Sequence, residues 1–227
     1  MDIGILTSGG KDSLYSAYLA SKKNKIKCLI SFDSENKDSY MFHSANINLV
    51  KVQAELMGLP LIFLKTKGEK EVELEDLKNG ILIAKDEYHI KGIVTGAVAS
   101  SYQSERIGKI CNELKLECIN PLWHIDTEQY LRDLVKNKFE VIITKVAADG
   151  FDEKWLGREI DNNFIEELKE LNKRFKIHLA FEGGEAESLV LNCPLFKKKI
   201  VVLESEKNME SKCCGELLIR KIKTKDI

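Results

Sequence analysis

The sequence predicts an α/β protein: a parallel sheet with helices on both faces, followed by a smaller α+β domain. Three observations carry this reading. Up to about Trp123, short apolar runs of strand length alternate with longer stretches whose apolar residues recur at helical spacing, and no hairpin signal separates them. Such alternation favours right-handed crossovers and strands buried on both faces. Polar stretches at 7–13, 31–43 and 95–106 fall just past the apolar runs, at the strand ends where open α/β sheets bind ligands. After Trp123, strand-like runs crowd together with short loops, which suits antiparallel pairing.

Each element follows in order. Ile3 to Thr7 is strand-like, and Leu14, Ala17, Tyr18 and Leu19 mark the helix after it. Ile26 to Phe32 is the second strand. Phe42 to Met57 is a helix with an apolar stripe at Ile47, Val50, Ala54 and Met57, and Gly58 stops it. Pro60 to Leu64 is a strand, Val72 to Glu87 a helix, and Ile90 to Thr95 a strand ending at Gly96. Tyr102 to Leu114 is helical, with Ile107, Ile110, Cys111 and Leu114 on one face, and Leu116 to Ile119 leads into Pro121. In the second half, Thr127 to Asn137 is a helix and Phe139 to Val146 a buried strand. Asp161 caps a helix carrying Phe164, Ile165, Leu168 and Leu171. Ile177 to Phe181, Leu189 to Leu191, Ile200 to Leu203 and Leu217 to Lys223 read as strands. The expected division is 1–124 and 125–227, with no Gly/Ser/Pro linker between them.

Composition narrows the class. The chain has 227 residues, 44% of them apolar, enough to bury a core. A net charge of -1 gives no global field to recruit nucleic acid or a membrane. The start has no basic stretch, and no apolar run approaches the roughly 20 residues a membrane span needs. Six cysteines without a CxxC pair read as reduced thiols in a cytoplasmic protein. Cys213 and Cys214 are adjacent, a poor arrangement for chelating one ion.

The stretch Ser8-Gly9-Gly10-Lys11-Asp12-Ser13 joins the first strand to the first helix. Two glycines let the backbone bend and bring its amides close to anionic oxygens. The helix N-terminus adds its first N–H groups, the serines add hydroxyls, and Lys11 adds a positive charge. Asp12 can cap the helix or help to hold Mg2+. A plain strand-to-helix turn would explain each part alone; the combination points to a nucleotide. It is not a Walker A loop, because Asp12 follows Gly10-Lys11 where Ser or Thr is required.

These six residues match SGGxDS, and the chain is identified by them as a member of the ATP pyrophosphatase (PP-loop) superfamily. The resemblance implies a HUP-like fold of the adenine nucleotide alpha hydrolase type. It also implies attack of a substrate oxygen on the α-phosphorus of ATP with loss of pyrophosphate. Four further stretches resemble the diphthine–ammonia ligase family, in its archaeal form: 38–61, 96–114, 145–161 and 181–200, the last containing Glu182-Gly183-Gly184-Glu185-Ala186-Glu187-Ser188. Ala186 stands where that family usually has an aromatic residue.

The resemblance implies ATP-dependent amidation of the diphthine carboxylate on translation elongation factor two, with ammonium as nitrogen source and Mg2+ as the cation. By the same resemblance Ser8, Gly9, Gly10, Lys11, Asp12, Ser13, Met41, Phe42, His43, Thr95 and Gly96 bind ATP. Lys11, Asp12 and Arg106 act in catalysis, with Asp12 on the metal. Tyr102, Gln103, Glu182, Gly183, Gly184, Glu185, Glu187 and Ser188 meet the substrate. Arg106 can instead form a surface ion pair with Glu113, and the glycine loop can be an ordinary hairpin with solvated acids. Diphthine carries a permanent cation and ammonium is a second one. Three glutamates in one loop are therefore expected to attract cations, with Tyr102 or Trp123 supplying a π-face. Lys145, Gly157 and Arg158 match family positions, and Lys197 to Lys199 form a solvated turn or meet an acidic partner. A homodimer is the base-rate expectation. The rival readings are another adenylylating PP-loop enzyme, such as a tRNA-modifying one, and an ATP- or AMP-binding protein without turnover.

Overall fold

The first strand, Asp2–Leu6 (β1), lies inside a five-stranded sheet, as a computed structural model of the chain shows. The structure describes residues 1–36, 46–68 and 72–227, without the side chains of 72 and 101–103. It divides into two units, Met1–Trp123 and His124–Ile227.

In the first unit, β1 is followed by Lys11–Ser21 (α1), Lys25–Ser34 (β2), Leu49–Met57 (α2), Leu61–Thr66 (β3), Val72–Tyr88 (α3), Gly92–Val94 (β4), Ser101–Glu113 (α4) and Glu117–Ile119 (β5). The strand order is β3-β2-β1-β4-β5 and every neighbouring pair is parallel. Right-handed crossovers in that order put α1 and α2 on one face and α3 and α4 on the other. A buried cluster runs from the sheet (Cys28, Ile30, Phe32, Ile62, Ile93) to Leu77, Ile81 and Ala84 of α3 and Ile107, Ile110 and Cys111 of α4. The expected parallel sheet covered on both faces is present. The chain leaves β1 toward β2 and leaves β4 toward β5, so the order reverses between them. Ligands of doubly wound sheets bind at that switch point.

Helix α2 starts later than the apolar stripe suggests. Asn46 to Asn48 form a turn, and the first part of the expected helix, 42–45, lies outside the described residues. Gly58 ends α2 in the left-handed conformation at φ 67°, where its N–H closes the helix.

The second unit contains Thr127–Lys136 (α5), Glu140–Ala147 (β6), Asn162–Phe175 (α6), Ala186–Asn192 (β7), Lys198–Met209 (β8) and Cys214–Asp226 (β9). Its sheet is antiparallel, in the order β7-β6-β9-β8. The smaller α+β arrangement is therefore present as well. Asp161 caps α6, accepting from Phe164 N at 2.7 Å, and Asp126 caps α5 through Gln129 N at 2.9 Å. Arg132 of α5 bonds Glu128 of its own helix and Glu166 of α6.

Two expectations for this half need correction. Ile177 to Phe181 is a turn, not a strand. Ile177, Ala180 and Phe181 are buried, but Asn172 Nδ2 binds the Ile177 carbonyl at 2.7 Å and His178 O accepts from Phe181 N, so the backbone is satisfied locally. The β8 and β9 strands extend well beyond their apolar runs. Cross-strand ion pairs Lys198–Asp226, Glu204–Lys221 and Glu206–Arg220 line the resulting ribbon. Among the described residues, no helix is long and apolar enough to cross a membrane.

Candidate active site

The glycine loop leaves β1 at the switch point and is held by its own hydroxyls. Thr7 Oγ1 accepts from Gly9 N at 3.0 Å and lies 2.8 Å from Ser13 Oγ. Ser13 Oγ donates to the Gly10 carbonyl at 3.1 Å. With one hydrogen on each hydroxyl, Thr7 donates to Ser13 and Ser13 to Gly10. Gly9 has φ +80°, a conformation that strains residues with a Cβ. Gly10 is the N-cap of α1 and has no side chain to cap it, so the loop delivers the chain directly into the helix N-terminus.

Lys11 is 2% exposed, and its ammonium lies 2.9 Å from each oxygen of Asp12. Asp12 is thus a first-turn acid and ion-pair partner, and the cap position belongs to Gly10. The pair places a desolvated cation and a part-exposed carboxylate side by side at the positive end of a helix. Mg2+ takes one or two carboxylates plus phosphate oxygens and keeps several waters, a donor set that Asp12 and a nucleotide can supply. Among the described residues no three His, Cys, Asp or Glu side chains are grouped to hold an ion without a nucleotide.

The loop after β4 comes against the first turn of α1. A Cβ on Gly96 would lie 2.7 Å from Ser13 N and 2.9 Å from the Asp12 carbonyl carbon. Thr95, buried, donates to Asn120 Oδ1 at 2.6 Å and accepts from Ala97 N at 3.2 Å. Asn120 in turn donates to Ser104 Oγ of α4 at 3.3 Å. The structure therefore brings Ser8 to Ser13 together with Thr95 and Gly96. Met41, Phe42 and His43 lie outside the described residues, as do the side chains of Tyr102 and Gln103, whose backbone forms the first turn of α4. Arg106 is half-buried on α4, while Glu113 bonds Lys78 at 2.7 Å and is not the partner expected for Arg106.

The glutamate loop of the second unit has a different organisation from three solvated acids. Glu185 accepts from His178 N through Oε1 and from Gly183 N through Oε2, both at 2.8 Å. His178 Nδ1 accepts from Ala180 N at 3.2 Å. Glu187 pairs with Lys145 across β6 and β7 at 3.3 Å, and Ser188 is buried in β7. Glu185 therefore first serves to fix the loop that presents Glu182, Gly183 and Gly184. Glu185→Ala should lower the stability of this unit by about 2 kcal/mol, because two amides lose a charged acceptor. A chemical denaturation midpoint unchanged from wild type would refute that assignment.

Gly157 and Arg158 have structural work nearby. Gly157 has φ +80° and donates to the Ile143 carbonyl at 2.8 Å. The Arg158 guanidinium lies over Trp155 and Phe164, and two 2.6 Å bonds to Glu167 hold it still more firmly charged than usual. Lys198 and Lys199 bond Asp226 and Glu140, so the lysine run is largely neutralised within its own unit. All six cysteines are free thiols. Burial pushes Cys28 and Cys193 up to about 12, and burial followed by the neighbouring Glu210 raises Cys214. None of these three is a nucleophilic thiolate.

The Diphthamide synthase N-terminal domain matches residues 1–118, and the Diphthamide synthase C-terminal domain matches residues 126–224. The diphthine–ammonia ligase of Rattus norvegicus is 34% identical over 229 residues, covering 91% of this chain and 84% of its own. The Homo sapiens enzyme of that name is 34% identical over 235 residues, with the same two coverages. This chain belongs to the diphthine–ammonia ligase family. The Schizosaccharomyces pombe protein of that name is also 34% identical, over 96% of this chain but 38% of its own length.

Within this diphthine–ammonia ligase fold, sequence reasoning missed two contributors to the site, Gln53 and Asn120. Gln53 of α2 donates to the Gly9 carbonyl at 3.1 Å and is completely buried. A polar residue inside the stripe Val50, Ala54, Met57 is the signal that marks it. Asn120 carries no comparable signal, since it reads as the ordinary end of a strand.

Proposed function

We propose that the chain converts the diphthine carboxylate of translation elongation factor two into the amide of diphthamide, using ATP and ammonium and releasing AMP and pyrophosphate. The observation that carries this reading is the contact of Gly96 with the first turn of α1, which joins the SGGKDS loop to the end of β4 at the switch point. Family membership supplies the substrate. A carboxylate is a poor electrophile, so its oxygen first attacks the α-phosphorus and pyrophosphate leaves. Ammonia then attacks the acyl carbon of the mixed anhydride, and AMP departs with the acyl–oxygen electron pair.

In this reading residues 1–124 bind ATP and residues 125–227 bind the protein substrate. The glycine loop and α1 amides hold the pyrophosphate portion, and Lys11 neutralises charge as the α–β bond breaks. Arg106 steadies the negative charge of the transition state. Asp12 would hold Mg2+, whose charge would offset that of the departing pyrophosphate. Met41, Phe42 and His43 contribute to the adenosine pocket. Tyr102, Gln103, Glu182 and the loop fixed by Glu185 meet diphthine. The substrate is a translation factor, which supports a cytoplasmic site of action.

Incubation with ATP, ammonium and diphthine-bearing elongation factor tests the proposal. Diphthamide formed together with AMP is the expected result. AMP formed with tRNA alone would favour a tRNA-modifying enzyme, and ATP bound without cleavage would favour a non-catalytic binder.

A further inference from the structure

We propose that Gln53 is a positioning residue for the phosphate loop, and that it sets which way the Gly9–Gly10 peptide faces. The inference rests on the ATP reading above. Gln53 is completely buried on α2, 44 residues from Gly9 in the chain, and its Nε2 donates to the Gly9 carbonyl at 3.1 Å. The peptide plane is trans, so a carbonyl turned toward Gln53 turns the Gly10 N–H to the opposite side. Were the plane to flip, a carbonyl oxygen would take the place of that donor, and an anion approaching there would meet a lone pair.

Gly9 makes such control necessary. Its φ of +80° belongs to a residue with wide backbone freedom, so the plane on its carboxyl side needs an external restraint. On its amino side the restraint is Thr7 Oγ1, which accepts from Gly9 N at 3.0 Å. On its carboxyl side it is Gln53. The fit is close, since a Cβ on Gly9 would lie 2.6 Å from Gln53 Oε1. Helix α2 thus contributes to the nucleotide site through one amide that acts on the loop backbone.

Gln53→Met keeps length and volume and removes the donor. Two measurements on the full chain read its effect: the inhibition constant for pyrophosphate and the KM for ATP in the amidation assay. Both should rise about tenfold, equivalent to about 1.4 kcal/mol, while kcat and the KM for diphthine-bearing elongation factor stay within twofold. A merely structural role would lower the melting temperature without that split. Should Gln53→Met fold poorly, Gln53→Asn withdraws the amide by one methylene and is read the same way. A folded variant with wild-type pyrophosphate and ATP constants overturns the role of Gln53 and leaves the ATP reading standing. A wild-type chain that binds neither pyrophosphate nor ATP overturns both.

Discussion

Replacing Lys11 with methionine should slow pyrophosphate release about 10²- to 10³-fold, the usual cost of removing one preorganised stabilising group. The chain should remain folded. Methionine retains the apolar stem that packs at 2% exposure, and the partner left behind, Asp12, is 29% exposed and can hydrate. The loss is therefore electrostatic. As the α–β bond breaks, negative charge grows on the leaving pyrophosphate beside a helix N-terminus that has lost its desolvated cation. Single-turnover AMP formation in saturating ATP measures the effect. A rate within tenfold of wild type would remove Lys11 from the catalytic machinery.

Gly96→Ala should have the second large effect, by steric means. The added methyl would meet Ser13 N at 2.7 Å and the Asp12 carbonyl carbon at 2.9 Å. Both are backbone atoms in the first turn of a helix and cannot swing aside. The β4–α4 loop and α1 must therefore separate, costing about 1–3 kcal/mol in stability. A displacement of about 1 Å at reacting groups costs roughly 10²-fold, so kcat/KM for ATP should fall by that factor. Gly108→Ala provides the contrast. A Cβ there meets nothing within 4 Å, and alanine suits a helix interior better by about 1 kcal/mol. That variant should melt higher and keep its activity. Equal behaviour of the two would show that the close approach at Gly96 has no part in the reaction.

Much of the fold is legible in the sequence because burial is periodic. The strand from Cys28 to Phe32 is buried on both faces, and α4 shows its core stripe at Ile107, Ile110 and Cys111. Where satisfaction of polar groups decides the outcome, periodicity fails. Ile177 to Phe181 has the apolar content of a strand, yet Asn172 and His178 bind its backbone into a turn. The β8–β9 ribbon has the opposite character: ion pairs accompany β8 beyond Leu203, where its apolar run ends.

The site divides in the same way. Glycines and a lysine between a strand and a helix announce a phosphate loop. That Glu185 binds two amides cannot be read from spacing, because the acceptor and its donors are tied by a turn whose shape the residues do not advertise. The expected concentration of uncompensated acid in that loop gives way to one glutamate spent on the backbone and one paired with Lys145.

The central position of β1 has a consequence for synthesis. Its neighbours are Lys25–Ser34 on one side and Gly92–Val94 on the other. A nascent polypeptide whose emerged length stops short of the second neighbour carries an open ladder edge of unpaired N–H and C=O groups beside an unfinished cradle. The glycine loop therefore gains its last neighbour late in translation of this half, once Gly96 has left the ribosome and closed against the start of the first helix.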